Sequence, residues 1–167
     1  MHALLALAVT VTLIGCAGCT PKQNQGDAPM PTTSHDGSVK LTVLYDNFPQ
    51  EPGLRTDWGF SCLVEGLEKT ILFDTGERGE ILLANMRKLG KRPEDIDIIV
   101  LSHEHSDHTG GLGEFLATAP NATVYGLASF PETIKETAKA AGARFTPVIE
   151  AVKVCDHAFS TGGVSGR

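Results

Sequence analysis

Residues 99–112 read IVLSHEHSDHTGGL, which places a histidine-rich loop directly after an apolar run. The loop holds His103, His105, Asp107 and His108 within six positions. Imidazole nitrogens and carboxylates are preferred ligands of Zn²⁺ and similar divalent metals, and loops at strand ends often carry active sites. His103 and His105 can point the same way from an extended backbone, whereas the adjacent Asp107 and His108 can serve a second ion. The stretch therefore predicts a metal site at the end of a buried strand.

The alternative interpretation of this stretch is a solvated polar loop that happens to be rich in histidine. Two features argue against it. Three of the chain's six histidines fall in this one loop, and the loop lies between an apolar strand and the pair Gly110-Gly111. We expect the two glycines to let the backbone turn tightly into the next helix.

Hydrophobic patterns around the loop predict a mixed α/β fold. Short apolar runs of the kind found in strands alternate with segments of helical spacing, and Gly90, Pro131 and Gly142 stand where helices stop or start. We predict strands at 39–45, 60–65, 70–73, 96–101, 122–125 and 144–148, and helices at 80–89, 112–119 and 131–141.

The first 38 residues differ in composition from the rest of the chain. Residues 3–14 are almost wholly apolar but too few for a membrane span, so we predict a signal peptide at 1–15. The run Leu13-Ile14-Gly15-Cys16 resembles a bacterial lipobox, which makes Cys16 the predicted lipidation site and Cys19 the weaker candidate. Residues 16–38 form the predicted tether, because the polar stretch from residue 20 onward cannot bury enough apolar surface to offset the entropy of ordering.

The predicted location is the bacterial cell envelope, on the exported side, with the membrane as a partner through the lipid anchor. One feature departs from the usual pattern, because the leader carries no Lys or Arg before its apolar run. A buried N-terminal helix is the alternative interpretation of the same residues.

Composition and charge restrict the classes of function. The chain has 167 residues, a net charge of −6 and a pI near 5.4, which allow one domain and argue against a nucleic-acid partner, since such surfaces need clustered Lys and Arg. Beyond the first 38 residues there are only Cys62 and Cys155, which form no disulfide framework. Cys62 lies in an apolar run, so a buried free thiol is favoured over a bridge between the two.

The motif His103-x-His105-x-Asp107-His108 resembles the signature of the metallo-β-lactamase-fold hydrolases. Flanking elements strengthen the resemblance: LFDTG at 72–76, VLS at 100–102 and TGGL at 109–112. Three further elements resemble the branch of that superfamily related to dihydropterin-ribofuranosyl-aminobenzene-phosphate synthase, namely YDN at 45–47, WGFS at 58–61 and STGG at 160–163.

The resemblance implies an αββα sandwich that binds two divalent ions, Zn²⁺ first among Zn²⁺, Mn²⁺ and Fe²⁺. His103 and His105 would hold the first ion, and Asp107 and His108 the second, with Asp107 also orienting the attacking water. Asp74 would brace the ligand loop from behind, although a plain turn aspartate before Gly76 is the alternative interpretation.

Three other polar residues near family motifs are less well defined. Asp46 and Asn47 could line the mouth of the site or simply form a turn. His157 has no role in the family pattern, and we expect an ordinary surface or core histidine there.

Two hypotheses for function follow from these residues. In relatives, two further histidines and a bridging acidic residue complete the site, but no histidine follows His157, so we expect residues 39–167 to be an incomplete N-terminal portion of the domain. The first hypothesis is a metal-dependent hydrolase or related transferase that uses a metal-activated water on a small phosphorylated or ester-like substrate. The second is an inactive, truncated lipoprotein with a partial metal-binding loop.

Overall fold

The computed structural model describes residues 4–9, 38–49 and 51–164, the first of these ranges by its backbone alone. It contains two β-sheets, four α-helices and a short 3-10 helix at Pro93–Asp95. The strands are β1 (Leu4–Val9), β2 (Lys40–Tyr45), β3 (Ser61–Glu65), β4 (Ile71–Phe73), β5 (Ile98–Val100), β6 (Thr123–Leu127), β7 (Arg144–Val148), β8 (Glu150–Cys155) and β9 (Ala158–Val164); the helices are α1 (Gly79–Lys88), α2 (Ser106–Thr109), α3 (Leu112–Leu116) and α4 (Glu132–Ala140).

The larger sheet has six strands in the order β2-β3-β4-β5-β6-β7. β2, β3 and β4 pair antiparallel, whereas β4 to β7 run parallel. Central β5 is a fully buried Ile-Ile-Val run, as parallel strands covered on both faces require. All six strands predicted from the sequence are present, which confirms the mixed α/β fold.

Helices α1, α3 and α4 connect the strands and pack on the sheet through apolar faces. α1 buries Ile81, Leu82 and Met86, and α3 buries Phe115 and Leu116. These side chains belong to one hydrophobic core, in which Leu82, Met86, Phe115 and Leu116 are fully buried. The three predicted helices are therefore confirmed: α1 is shifted by one residue toward the N-terminus, and α3 and α4 are shorter than the sequence pattern indicated.

The smaller sheet has the order β1-β9-β8, with antiparallel pairing throughout. Strands β8 and β9 were not predicted from the sequence. The first four residues of β8 are all exposed, and the residues that β9 buries, Ala158, Ser160 and Gly162, are small and give no clear apolar pattern. Val154, Cys155 and Ala158 of this hairpin join the core of the larger sheet. The core thus lies partly between helices and sheet and partly between two sheets.

The predicted leader is described only at its apolar segment. There β1 is an extended strand that pairs with β9, from Leu4 opposite Val164 to Val9 opposite Ala158. Cys16, Cys19 and the predicted tether lie outside the described residues except for Ser38. Among the described helices, none combines the length and the apolar character that a membrane crossing needs.

The two cysteines that the structure describes are both buried and free, as predicted for Cys62 and favoured over a bridge to Cys155. Burial raises the pKa of each thiol, so both stay protonated near neutral pH.

Candidate metal centre

The candidate centre lies where β4 and β5 end side by side. These strands are parallel neighbours, with Phe73 opposite Val100. Asp74, directly after β4, and Ser102, two residues after β5, therefore meet at one edge of the sheet. The backbone N–H of Asp74 donates to the Val100 carbonyl at 2.9 Å, which continues the ladder by one residue. The two family motifs, distant in sequence, are therefore brought together by strand pairing.

Asp74 is completely buried and adopts a left-handed backbone conformation with φ +58°. Its carboxylate accepts three hydrogen bonds: from Ser102 N at 2.7 Å, from Ser102 Oγ at 2.6 Å and from His108 Nδ1 at 2.7 Å. Asp and Asn tolerate this backbone region better than most side chains do. Asp74 thus lies behind the histidine loop and holds it at two points, which is more than a plain turn aspartate does.

These bonds determine which ring nitrogens of His103 and His108 face the site. Because a carboxylate can only accept, the Ser102 hydroxyl and His108 Nδ1 must both donate to Asp74. The Ser102 oxygen, 2.9 Å from His103 Nδ1, then accepts from that nitrogen. In its neutral form each imidazole therefore carries its proton on Nδ1 and keeps the Nε2 lone pair free, as the hydrogen-bond partners behind metal-binding histidines commonly arrange.

His103, Asp107 and His108 converge. One potential ligand atom from each of these three residues lies within 4.8 Å of the others. The rings of His103 and His108 are 4.1 Å apart between centroids, and His108 Nε2 is 3.5 Å from an Asp107 carboxylate oxygen. All three side chains are half-buried, which leaves access from solvent.

His105 is placed differently from the other three residues of the motif. Its ring contacts that of His103 edge-on at 4.8 Å between centroids, but it is not part of the converging group and its residue is exposed. The structure therefore groups one predicted ligand of the first ion, His103, with both predicted ligands of the second, Asp107 and His108.

His103 and His108 differ in proton affinity. Burial, together with the nearby His108, lowers the pKa of His103, so its neutral form is favoured. The hydrogen bond to Asp74 raises the pKa of His108, which favours its protonated form. When His108 is protonated, a cation must displace the proton on Nε2, while the Nδ1 proton stays hydrogen-bonded to Asp74.

The backbone after the ligands is fixed by contacts with the turn that follows β4. The His108 carbonyl accepts from both Thr75 N, at 2.8 Å, and Thr75 Oγ1, at 3.1 Å. Gly110 and Gly111 form the turn between α2 and α3, as expected, but with negative φ values that other residues also adopt. They are required because the chains approach closely: an added Cβ would lie 2.3 Å from the Glu77 carbonyl oxygen at Gly110 and 2.4 Å from that of Thr75 at Gly111.

Three residues left open by the sequence now have definite places. Asn47 Oδ1 accepts from Gly59 N at 2.7 Å, and Asp46 Oδ1 accepts from Asn47 N at 2.6 Å. His157 is exposed at the turn between β8 and β9, with φ +66°, as expected of a histidine without a site role.

Sequence reasoning gave no role to the Ser102 hydroxyl or to Gly59. Ser102 was noted only as part of a motif, yet its hydroxyl links Asp74 to His103. A serine that directly precedes the first histidine was the available signal. Gly59 offered none, because its contact with Asp107 depends on packing between distant segments.

The donor set fits a divalent metal ion. Two imidazole Nε2 atoms and one carboxylate provide three protein ligands, the number typical of catalytic zinc sites that keep an open position. The buried carboxylate behind both histidines completes the pattern of such sites.

Comparison with known proteins agrees with this geometry. Residues 59–166 match the Metallo-beta-lactamase superfamily. The chain is 33% identical over 128 residues to a 7,8-dihydropterin-6-methyl-4-(beta-D-ribofuranosyl)-aminobenzene-5'-phosphate synthase of Methanocaldococcus jannaschii, which covers 64% of this chain and 44% of that protein. It is 35% identical over 83 residues to Ribonuclease Z of Aeropyrum pernix, covering 49% of this chain and 25% of that one.

A solved structure shares the fold at low sequence identity. The metallo-beta-lactamase fold protein YhfI from Bacillus subtilis superposes with a TM-score of 0.52 at 18% identity, covering 70% of this chain and 49% of that one. The chain spans less than half the length of each of these three relatives. With the family match over residues 59–166 and the His-Asp-His group at the ends of β4 and β5, this chain belongs to the metallo-beta-lactamase superfamily.

Proposed function

We propose that this chain carries the metal-binding half of a metal-dependent hydrolase or related transferase that acts on a small phosphorylated or ester-like substrate. The observation that carries the proposal is the convergence of His103, Asp107 and His108 in front of a buried Asp74. A divalent ion at such a site lowers the pKa of a bound water and polarises the electrophile. We favour Zn²⁺, with Mn²⁺ or Fe²⁺ as alternatives, and two ions in the complete site.

The residues of the chain have distinct tasks in this proposal. His103 and His108 offer Nε2 to the ion, because Ser102 and Asp74 hold their Nδ1 protons. Asp107 offers a carboxylate close to His108 Nε2 and can accept a hydrogen bond from the attacking water. In hydrolysis the water oxygen bonds to phosphorus or carbon, the bond to the leaving group breaks, and the leaving group takes up a proton.

The names of two relatives support a phosphorylated or ester-like substrate. They refer to a 5'-phosphate compound in one case and to a ribonuclease in the other. The net charge of −6 argues against a long nucleic acid as the substrate of this chain and does not by itself favour a phosphorylated one.

The test is a chelator-sensitive activity screen on the protein loaded with Zn²⁺, Mn²⁺ or Fe²⁺, with a phosphomonoester, a phosphodiester and a carboxylic ester as substrates. We expect turnover that EDTA abolishes and that His103→Asn reduces at least a hundredfold. His157→Asn is the matched control, because this exposed turn histidine has a left-handed φ that asparagine tolerates. Tight metal binding without turnover on any substrate would instead support a non-catalytic metal-binding protein.

We also propose that the protein is exported and anchored in the cell envelope by a lipid on Cys16. The support is the apolar run at 3–14 followed by the lipobox-like Leu13-Ile14-Gly15-Cys16. The intact mass of the native protein from the membrane fraction tests this, since loss of residues 1–15 and the addition of a lipid change it in opposite directions. A native mass that retains residue 1 and carries no lipid would contradict the proposal.

A further inference from the structure

The loop between β2 and β3, residues 46–60, is closed by a side chain close to its start. Asn47 Oδ1 accepts from the backbone N–H of Gly59 at 2.7 Å, twelve residues later, and the pair is part-buried. Asp46 in turn accepts from Asn47 N at 2.6 Å and limits the orientation of that turn. The position of Gly59 is therefore tied to the end of β2.

Gly59 and Phe60 contact the backbone of Asp107. Phe60 N donates to the Asp107 carbonyl at 3.2 Å. Gly59 has φ +135°, and an added Cβ there would lie 2.3 Å from the same carbonyl oxygen. The Phe60 carbonyl accepts from Gly76 N at 3.0 Å, which connects this contact to the turn that begins with Asp74.

The carbonyl of Asp107 is thus held by the β2–β3 loop, whereas that of His108 is held by Thr75. These two neighbouring ligands are positioned by different segments of the chain. A shift of Gly59 would reach Asp107 directly, through the Phe60 N–H, whereas it would reach Thr75 only through the hydrogen bond from Gly76 N to the Phe60 carbonyl.

We propose that Asn47 is a positioning residue for the metal centre, acting through Gly59 and Phe60 on Asp107. Its side-chain oxygen fixes Gly59, the Gly59–Phe60 segment fixes the Asp107 carbonyl, and the carboxylate of Asp107 is thereby aimed at the ion. The inference rests on the proposed metal centre, and the residue binds neither metal nor substrate itself. Partners outside the first coordination sphere commonly change metal affinity by ten- to a hundredfold when removed.

The test measures the Zn²⁺ affinity of the full chain by competition with a chromophoric chelator. The thermal unfolding of each metal-free variant is recorded as well, to separate a loss of affinity from a loss of folding. Asn47→Leu has a similar size but no acceptor, and we expect it to weaken Zn²⁺ binding about tenfold or more. Asn47→Asp keeps the acceptor and should bind Zn²⁺ nearly as the wild type does. Asn121→Leu is the matched control, because Asn121 is exposed in the turn before β6, at the opposite edge of the sheet.

The charge introduced by Asn47→Asp needs its own control. The double variant Asn47→Leu/Phe48→Asp places the same charge one residue away, at an exposed position, without restoring the acceptor. We expect it to stay as weak as Asn47→Leu. If Asn47→Leu does not fold in the absence of metal, Asn47→Ala takes its place, with the same expected loss of affinity.

The possible results separate this inference from the proposed function. If the wild type binds no metal, the proposed centre is wrong and the inference fails with it. If the wild type binds Zn²⁺ and Asn47→Leu binds it equally well, only the positioning role is overturned. If the double variant binds Zn²⁺ as tightly as Asn47→Asp does, the effect is due to charge, and the positioning role of Asn47 is again overturned.

Discussion

Replacing Asp74 by asparagine tests whether one buried carboxylate organises the metal site. The wild-type side chain accepts from Ser102 N, Ser102 Oγ and His108 Nδ1, all at 2.6 to 2.7 Å, and is fully buried. Asparagine tolerates the φ of +58° and has nearly the same shape, so the backbone turn should persist. The substitution therefore removes acceptors without removing volume.

The magnitude follows from the two ways in which the amide can be placed. If its oxygen occupies the Oδ2 position, its NH₂ group faces the Ser102 N–H and leaves a buried donor unpaired, which costs about 1–3 kcal/mol. If its NH₂ group occupies that position, His108 must move its proton from Nδ1 to Nε2, the atom that faces the ion. We expect the metal-free protein to lose about 1–3 kcal/mol of unfolding free energy and Zn²⁺ affinity to fall about ten- to a hundredfold.

Denaturant unfolding of the metal-free chain and chelator competition for Zn²⁺ measure the two effects separately. The matched control is Asp97→Asn, which changes an exposed aspartate that accepts from Thr70 N at 2.9 Å at the opposite edge of the sheet. It should change stability by less than about 0.5 kcal/mol and leave Zn²⁺ affinity unaltered. Zn²⁺ binding by Asp74→Asn as tight as that of the wild type would refute the role assigned to the carboxylate.

Three further predictions concern stability and metal loading. Gly76→Ala should destabilise the fold more than Gly90→Ala does, because both glycines have a left-handed φ but an added Cβ would lie 2.4 Å from the Tyr45 ring at Gly76 and would meet nothing within 4 Å at Gly90. Equal losses of unfolding free energy in denaturant would contradict this packing argument. Leu82→Ala should cost about 2–5 kcal/mol of unfolding free energy, since Leu82 is fully buried between α1 and the sheet, and a loss under about 1 kcal/mol would argue against that packing. Free Zn²⁺ at a hundred times its dissociation constant should stabilise the wild type by about 2.7 kcal/mol, and calorimetry should show no such gain for His103→Asn.

Local sequence was enough to predict most of the larger sheet. Its strands are short apolar runs, and Ile98–Val100 is buried on both faces, so the run itself carries the signal. The helices α1 and α4 end near Gly90 and Gly142, which have φ values of +67° and +80°. Hydrophobic pattern and glycine position are local properties, and a sequence displays them directly.

The hairpin of β8 and β9 shows where local signals fail. The first four residues of β8 are exposed, and the strand is formed by pairing with β9 and by burial of Val154 and Cys155 in the core of the other sheet. Strand β8 is stabilised by contacts with residues distant in sequence, and the residue pattern within β8 itself does not predict these contacts.

The same division applies to the site. The spacing of His103, His105, Asp107 and His108 after an apolar run predicts metal ligands, because ligand chemistry belongs to the side chains themselves. The structure brings three of these four side chains together and leaves His105 outside the group. Ser102 and Asp74 determine which ring nitrogen of His103 and His108 faces the site, and Asp74 follows a different strand from the one that precedes the ligand loop. The close approach of Gly59 to Asp107 likewise exists only after β2, β3 and the ligand loop have packed. Residue identity determined what can bind, whereas strand pairing and backbone contact decided where each donor points, because direction depends on neighbours that the chain brings together only on folding.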